Sequence, residues 1–196
     1  MKTSSAGLVL LDRDGVLNEL VVDPEQGTID SPMVPAQVRM VPGATEAVAK
    51  LNKAGFGVAI VSNQPSAAKG KTTRQNLEAV HQAVLDEIAK AGGTILSSHL
   101  CYHRAEDQCT CRKPRTGLLE EAFKKNPSYP REKSWMIGDG LSDIQAGQDF
   151  GLKTIFLAVH KCDICQTSLK TEIRPTFWAD SFWSAAAKII HSSRQL

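Results

Sequence analysis

Two aspartates stand two positions apart, directly after a short apolar segment, at Asp12 and Asp14. Residues two apart on an extended chain point to the same side, so both carboxylates can face one pocket. Such a pair repels itself unless one member holds a proton or a cation lies between them. The arrangement suits phosphoryl transfer, because Mg²⁺ takes oxygen ligands, one aspartate can attack phosphorus and the other can move protons. An isolated pair would more often cap a turn.

A second acidic pair, Asp139 and Asp143, follows another apolar segment. Positions four apart lie on one face of a helix, one turn from each other. Taken alone, this pair is equally well explained as a capped helix start. Together with Asp12 the two carboxylates would form an oxygen-rich cluster suited to Mg²⁺.

Polar and basic residues that could bind phosphate occur at two further places. Ser62 and Asn63 end an apolar segment, where a hydroxyl and neighbouring backbone amides can bind phosphate oxygens. Arg112 and Lys113 supply positive charges that could offset a nucleophile and a phosphate. Each piece alone is also explained by a simple turn or by a solvated surface charge.

Three cysteines and a histidine crowd into residues 101–111, at Cys101, His103, Cys109 and Cys111. Tetrahedral Zn²⁺ takes four such ligands, and a closed set of three thiolates and one imidazole is structural rather than catalytic. Three free thiols beside an exposed histidine is the weaker alternative, because so dense a cluster is rare by chance. The sequence therefore predicts a small zinc loop that orders Arg112 and Lys113, which directly follow it.

Short apolar segments alternate with segments of helical period, which is typical of a parallel sheet covered by helices. The predicted strands are Leu8–Leu11, Val58–Val61, Ile95–Leu100, Trp135–Ile137 and Thr154–Leu157. The predicted helices are Ala44–Ala54, Arg74–Ala91, Gly117–Lys125, Ser142–Phe150 and Ser181–His191. The aspartate pairs and Ser62 then follow strand ends, which is the edge where open α/β sheets bind ligands.

Two segments stand apart from this alternation. Residues 19–42 carry four prolines and no clear period, so we predict a long irregular loop with a role such as closing over a ligand. Cys162 and Cys165 follow His160, but the sequence offers no fourth ligand for a second metal, and two reduced thiols are the simplest interpretation.

Length and composition set the remaining limits. A chain of 196 residues suits one compact domain, and a net charge of +2 gives no reason to expect a nucleic-acid or membrane partner. No apolar segment approaches a membrane span, and the first residues lack the pattern of a signal peptide. We therefore expect a cytoplasmic monomer whose residues 1–196 form a single domain.

The four pieces occur in an order that resembles the signature of the haloacid dehalogenase-like (HAD) phosphatase superfamily: Asp12-x-Asp14-Gly15, Ser62, Lys113 and Gly138-Asp139-x3-Asp143. The resemblance covers nearly the whole chain and implies a three-layer, Rossmann-like parallel sheet flanked by helices. It implies that Asp12 is the nucleophile, that Asp14 is the general acid and base, and that Ser62 and Lys113 bind phosphate. It further implies that Mg²⁺ is held by Asp12, Asp139 and the backbone carbonyl of Asp14, supported by Asp143.

The zinc loop followed by Cys111-Arg112-Lys113-Pro114 resembles one branch of that superfamily, which contains heptose-bisphosphate and histidinol-phosphate phosphatases. Members of this branch have no large cap domain, and the arginine of the motif contacts substrate, a role that would fall to Arg112. The heptose phosphatases favour Thr-Asn-Gln-Ser-Gly where this chain has residues 62–66, Ser-Asn-Gln-Pro-Ser, and a lysine where it has Gly140. In the phosphate-loop position where those enzymes carry arginine, this chain has Lys69, and its first loop is longer.

A magnesium-dependent phosphatase of small phosphorylated metabolites is the leading interpretation, with a heptose 1,7-bisphosphate ahead of histidinol phosphate as substrate. A nucleic-acid 3′-phosphatase would use the same chemistry but predicts a basic groove, whereas this chain has only local basic clusters. A non-catalytic, zinc-stabilised binding module is the third alternative. The intact Asp12 argues against it, because loss of the nucleophile is the expected mark of decay.

Overall fold

The computed structural model describes residues 6–23, 27–158 and 173–193. Its strands are β1 (Leu8–Leu11), β2 (Val21–Asp23), β3 (Thr28–Asp30), β4 (Gly57–Asn63), β5 (Ser97–Cys101), β6 (Trp135–Gly138), β7 (Lys153–Leu157) and β8 (Phe177–Ala179). Its α-helices are α1 (Ala44–Lys53), α2 (Arg74–Lys90), α3 (Gly117–Lys125), α4 (Leu141–Asp149) and α5 (Phe182–Ser193).

The central sheet has six strands in the order β5-β4-β1-β6-β7-β8, and every neighbouring pair is parallel. Strand β1 lies inside the sheet, with Leu10 opposite Ala59 on β4 and Met136 on β6. All four residues of β1 are fully buried, as expected for a parallel strand covered on both faces. The predicted α/β class with helices around a parallel sheet is confirmed.

The two faces of the sheet carry separate apolar cores, because successive strand residues point to opposite sides. Val9 and Leu11 belong to the core shared with α1 and α5. Leu8 and Leu10 belong to the core shared with α3 and with Ala146 of α4. Helix packing on both faces leaves the carboxyl edge of the sheet to the loops. At this edge Asp12 and Asp139 directly follow β1 and β6, and Ser62 and Asn63 are the last two residues of β4.

Residues 19–42 were expected to be irregular, and the structure corrects this in part. Strands β2 and β3 form an antiparallel hairpin, and Pro35–Gln37 form a turn of 3-10 helix. Strands of three residues are too short to show an alternating pattern, so they could not be predicted from the sequence. The segment is closed at its base by hydrogen bonds from the backbone of Glu19 to Arg39 (2.7 Å) and of Val41 to Leu17 (2.9 Å).

Two contacts join this segment to the loop that follows β4. Lys71 forms an ion pair with Asp30 at the end of β3. The hydroxyl of Thr72 donates a hydrogen bond of 2.9 Å to the backbone carbonyl of Met33. The hairpin and the loop after β4 therefore form one connected rim at this edge of the sheet.

Other differences from the predicted elements are small. Strand β5 begins at Ser97 rather than Ile95, and the edge strand β8 was not predicted at all. His160, Cys162 and Cys165 lie outside the described residues. Among the helices that the structure describes, none is long and apolar enough to cross a membrane.

Candidate active site

The carboxylates of Asp12, Asp139 and Asp143 come together at the carboxyl edge of the sheet. Asp12 directly follows β1, and its backbone N–H donates to the carbonyl of Ile137 on β6 (3.0 Å). Asp139 directly follows β6, and Asp143 lies in the first turn of α4. One oxygen from each carboxylate lies within 4.8 Å of the other two. Neighbouring parallel strands thus bring the predicted pair Asp139 and Asp143 together with Asp12, whereas Asp14 is not part of this cluster.

Lys113 inserts its ammonium group among these carboxylates. Its Nζ lies 3.1 Å from Oδ1 of Asp12 and 2.6 Å from Oδ1 of Asp143, and it donates to the backbone carbonyl of Val61 (2.6 Å). The lysine side chain is only 1% exposed. Burial alone would lower the pKa of Lys113, but the charges of Asp12 and Asp143 outweigh it and raise the pKa. The ammonium therefore stays charged and neutralises one of three carboxylates.

The negative charge that Lys113 does not offset affects the pKa of Asp143. Burial raises the pKa of Asp143 to about 7, against the effect of Lys113 and with the help of the charges on Asp12 and Asp139. Its Oδ2 accepts a hydrogen bond from the backbone N–H of Gly140 (3.0 Å). A carboxyl group so destabilised as an anion indicates a site built for an additional cation.

Glycine at position 15 leaves the space that Asp139 occupies. A Cβ atom at Gly15 would lie 2.3 Å from Oδ2 of Asp139, and the backbone φ of +79° also disfavours a side chain there. Oxygen ligands and room around them match the preferences of Mg²⁺, so these residues fit that ion. Asp12, Asp139 and Asp143 are the side chains that would hold or support it.

Ser62 and Asn63 end β4 beside this cluster. The hydroxyl of Ser62 is almost fully buried and accepts a hydrogen bond from Nε2 of Gln64 (3.0 Å). The side-chain amide of Asn63 forms two hydrogen bonds with the backbone of Lys113. Oδ1 of Asn63 accepts from the N–H of Lys113, and Nδ2 of Asn63 donates to the carbonyl of Lys113, both at 3.1 Å. Asn63 thus holds the backbone of Lys113, and direct phosphate contacts by Ser62 and Asn63 stay predictions.

Cys101, His103, Cys109 and Cys111 form a second cluster. Their sulfur atoms and the Nδ1 of His103 are separated by 3.1–3.7 Å wherever they contact one another. Four ligands about 2.0–2.3 Å from a tetrahedral Zn²⁺ would have separations of this order. Burial, reinforced by the neighbouring Cys101 and Cys109, raises the pKa of Cys111 to about 12. The neighbouring cysteines therefore oppose ionisation of Cys111, and a bound cation would be needed to stabilise three thiolates side by side. Three thiolates and one imidazole are a donor set that fits Zn²⁺.

The zinc loop contacts the active-site residues at both of its ends. At one end, the backbone N–H of Gln64 donates to the carbonyl of Cys101 (2.6 Å). At the other, Nη1 of the half-buried Arg112 donates to the carbonyl of His103 (3.2 Å). Lys113 directly follows Arg112, so the cluster fixes the chain on either side of the carboxylates.

Comparison with known proteins agrees with this geometry. A family model described as HAD-hydrolase-like matches residues 110–185. The D-glycero-β-D-manno-heptose-1,7-bisphosphate 7-phosphatase of Neisseria meningitidis is 34% identical over 154 residues, which cover 79% of this chain and 78% of that enzyme. The chain belongs to the HAD phosphatases.

Two further similarities describe this HAD phosphatase more closely. The histidine biosynthesis bifunctional protein HisB of Legionella pneumophila is 31% identical over 79% of this chain, which spans 41% of that longer protein. The crystal structure of D,D-heptose 1,7-bisphosphate phosphatase from B. bronchiseptica, complexed with magnesium and phosphate, superposes with a TM-score of 0.79 at 25% identity. The superposition covers 95% of this chain and 99% of the B. bronchiseptica chain. The resemblance drawn from the motifs is therefore confirmed, and the phosphatase class and its two metals are supported.

One group of buried residues in this HAD phosphatase, around Asp14, was not predicted from the sequence. Arg13, Asn18 and Gln64 are fully buried and donate hydrogen bonds to the carboxylate of Asp14. A signal for Gln64 was present, because it lies two positions after Ser62 and so points to the same side of an extended chain. Arg13 gave no such signal, since an arginine between two aspartates is usually read as exposed.

Proposed function

We propose that this chain is a magnesium-dependent phosphomonoesterase that acts through an aspartyl-phosphate on Asp12, and that its substrate is D-glycero-D-manno-heptose 1,7-bisphosphate, cleaved at position 7. The observation that carries the chemistry is the position of Asp12, whose Oδ1 lies 3.1 Å from the buried ammonium of Lys113 and beside the carboxylates of Asp139 and Asp143. The ammonium of Lys113 offsets part of the negative charge around Asp12, and a bound cation would offset more of it, so that a phosphate could approach this carboxylate with less repulsion.

In the first step a carboxylate oxygen of Asp12 attacks phosphorus and the bond from phosphorus to the ester oxygen breaks. The departing alkoxide takes a proton from the carboxyl group of Asp14. Lys113 and the hydroxyl of Ser62 bind phosphate oxygens and offset the charge that develops on them. Bound Mg²⁺ supplies further neutralisation of that charge.

In the second step a water molecule attacks the phosphorus of the aspartyl-phosphate. The carboxylate of Asp14 removes a proton from that water, and the bond between phosphorus and Asp12 breaks. Inorganic phosphate leaves, Asp12 regains its carboxylate and Asp14 regains its proton. The cycle therefore needs both aspartates but no external reactant other than water.

The relatives and the loops that border the site support the proposed substrate. The Neisseria protein, matched over most of both chains, is named for heptose 1,7-bisphosphate. The edge of the sheet is bordered by the zinc loop and by the rim formed from the β2–β3 hairpin and the loop after β4, which supports a small substrate enclosed by loops. We assign Arg112 to substrate binding, because its guanidinium stands on the zinc loop next to Lys113.

Histidinol phosphate is the second candidate, favoured by the similarity to the bifunctional histidine-biosynthesis protein. Both compounds are phosphate monoesters of a primary alcohol and would follow the same two steps. They differ in the groups that would face the rim. The heptose bisphosphate would present a second phosphate and sugar hydroxyls there, and histidinol phosphate an imidazole and an amine.

Phosphate release by the purified protein with Mg²⁺ tests the proposal. The panel should hold the heptose 1,7-bisphosphate in both anomeric forms, histidinol phosphate, other sugar phosphates and a 3′-phosphorylated oligonucleotide. Asp12→Asn serves as the inactive variant, and Asp107→Asn, at an exposed position of the zinc loop, as its matched control.

We expect the heptose bisphosphate to be turned over at least about a hundredfold faster than the rest of the panel, with activity lost only in Asp12→Asn. Preference for histidinol phosphate would overturn the substrate and keep the chemistry. Preference for the oligonucleotide would overturn a small metabolite as substrate. Undiminished activity of Asp12→Asn would contradict the nucleophile.

A further inference from the structure

The carboxylate of Asp14 is enclosed by side chains that have no part in the chemistry described above. Its Oδ1 accepts hydrogen bonds from Nε and Nη2 of Arg13 (3.1 and 3.0 Å) and from Nδ2 of Asn18 (2.9 Å). Its Oδ2 accepts from Nη2 of Arg13 (3.1 Å) and from Nε2 of Gln64 (2.6 Å). We call Arg13, Asn18 and Gln64 the Asp14 cradle.

Burial shows that the cradle is a built feature of the fold. All three of its side chains are fully buried, and a charged guanidinium is rarely buried unless it is paired. Nη2 of Arg13 also donates to Oε1 of Gln64 (2.7 Å), so the cradle is connected within itself as well as to Asp14. A carboxylate held from two directions cannot turn freely about its side-chain bonds.

Gln64 extends the cradle to the phosphate side of the site. The same Nε2 that donates to Asp14 also lies 3.0 Å from the hydroxyl of Ser62. Its backbone N–H is fixed by the carbonyl of Cys101, the first residue of the zinc cluster. One amide therefore sets the distance between the group that binds phosphate and the group that moves the proton.

We propose that Arg13 and Gln64 are positioning residues that fix the direction in which Asp14 presents its carboxyl group to the ester oxygen. This inference rests on the proposed function, because it assigns a purpose to the cradle only if Asp14 is the acid and base. Misplacement of a reacting group by about 1 Å can cost about a hundredfold in rate. Loss of one cradle contact should therefore slow proton transfer far more than it weakens substrate binding or attack by Asp12.

Two phosphate esters whose leaving groups differ in their need for a proton can distinguish a positioning role from a general loss of structure. The departing alkoxide of a sugar phosphate needs a proton, whereas p-nitrophenolate leaves without one. Hydrolysis of the aspartyl-phosphate needs Asp14 for both substrates, since water must then be activated. The variant is Gln64→Met, which keeps the length of the side chain and removes its hydrogen bonds, and Gln75→Met on the exposed face of α2 is the matched control.

With the heptose bisphosphate we expect kcat of Gln64→Met to fall about ten- to a hundredfold while KM changes less than about threefold. With p-nitrophenyl phosphate we expect a rapid burst of about one p-nitrophenolate per active site, followed by slow steady release. Asn18→Leu, of similar shape, should show the same signature to a smaller extent and provides the test if Gln64→Met does not fold.

Equal loss of rate with both esters and no burst would overturn the positioning role. Unchanged kcat in both variants would overturn it as well. If the wild-type protein hydrolyses neither ester, the proposed function is contradicted instead. The wild type is therefore measured first, before any variant.

Discussion

The Nζ atom of Lys113 lies 2.6 Å from Oδ1 of Asp143, and both side chains are at most 3% exposed. Yet the pKa of Asp143 is raised to about 7, because burial and the charges of Asp12 and Asp139 exceed the effect of this single ammonium. One lysine is insufficient for three carboxylates. The pair thus couples the protonation of Asp143 to the binding of a cation in the cluster.

Magnesium binding should therefore depend on pH. Below about pH 7 the metal-free protein carries a proton on Asp143, which Mg²⁺ must displace, so the affinity should be about tenfold lower at pH 6 than at pH 8. Calorimetric titration in two buffers of different ionisation enthalpy would report both the affinity and the released proton. Asp149→Asn at the exposed end of α4 is the control, and an affinity independent of pH would contradict the coupling.

Gly15 and Gly70 offer a comparison between two glycines of positive φ. Alanine at either position should cost about 1–2 kcal/mol of folding stability, because L-residues disfavour this backbone region. Only at Gly15 would the new Cβ meet Asp139, whereas nothing lies within 4 Å of a Cβ at Gly70. We expect Gly15→Ala alone to weaken Mg²⁺ binding, by at least about tenfold. Equal metal affinity in both variants would show that the space beside Asp139 is not needed.

Removal of zinc should affect stability and activity together. The loop is fixed to Gln64 at one end and continues into Lys113 at the other, so its unfolding would disturb both sides of the site. We expect Cys109→Ser to lose the bound zinc and to melt about 10 °C lower, which corresponds to about 3 kcal/mol. Cys162→Ser should keep one zinc per chain in metal analysis. Full zinc content in Cys109→Ser would exclude this cysteine as a ligand.

His81 on α2 should make the fold sensitive to acid. Burial, together with the charge of Arg13, lowers the pKa of His81 to about 4, and its ring nitrogens have no hydrogen-bond partner among the described residues. Between about pH 6.5 and pH 4, His81 is protonated in the unfolded chain but stays neutral in the folded protein. The free energy of unfolding therefore falls as the pH falls. The loss between pH 7 and pH 4.5 should be about 2 kcal/mol.

Denaturant unfolding of His81→Leu at both pH values tests this prediction. The variant should show a smaller loss of stability than the wild type, whereas His191→Leu, at the exposed end of α5, should not. An identical pH dependence in wild type and His81→Leu would assign the acid sensitivity to other groups.

The sequence predicted those parts of the protein in which local pattern and global fold agree. The buried strand β1 and the helix α3 have the bounds that their apolar patterns indicate. Asp12 and Asp139 were singled out because each directly follows an apolar segment, and Asp143 because it lies one helical turn after Asp139. Each had a simpler explanation when taken alone, and so did Lys113; their order along the chain, which resembles the HAD signature, decided the prediction. The four residues proposed to bind zinc were singled out because three cysteines and a histidine lie within residues 101–111, and the structure brings them together.

What the sequence did not predict depends on contacts between distant residues. The short strands β2, β3 and β8 are too brief to show a period and exist through their pairing with neighbours. The Asp14 cradle joins residues 13 and 64. Nη2 of the buried Arg13 donates to Asp14 and to Gln64, two partners fifty positions apart, whereas its Nη1 has no hydrogen-bond partner among the described residues. Polar groups whose burial is made possible by the fold leave no mark in a local pattern.

The two metal clusters differ in how much of the chain must be in place before each can exist. The four proposed zinc ligands lie within residues 101–111, at the end of β5 and in the loop that follows it, so bringing them together closes only a short length of chain and costs little chain entropy. The proposed magnesium ligands extend from Asp12 to Asp143 and meet only when β1 and β6 are paired. During synthesis on the ribosome, zinc could therefore be captured while the chain is still incomplete, whereas catalytic competence would arrive only after α4 has emerged.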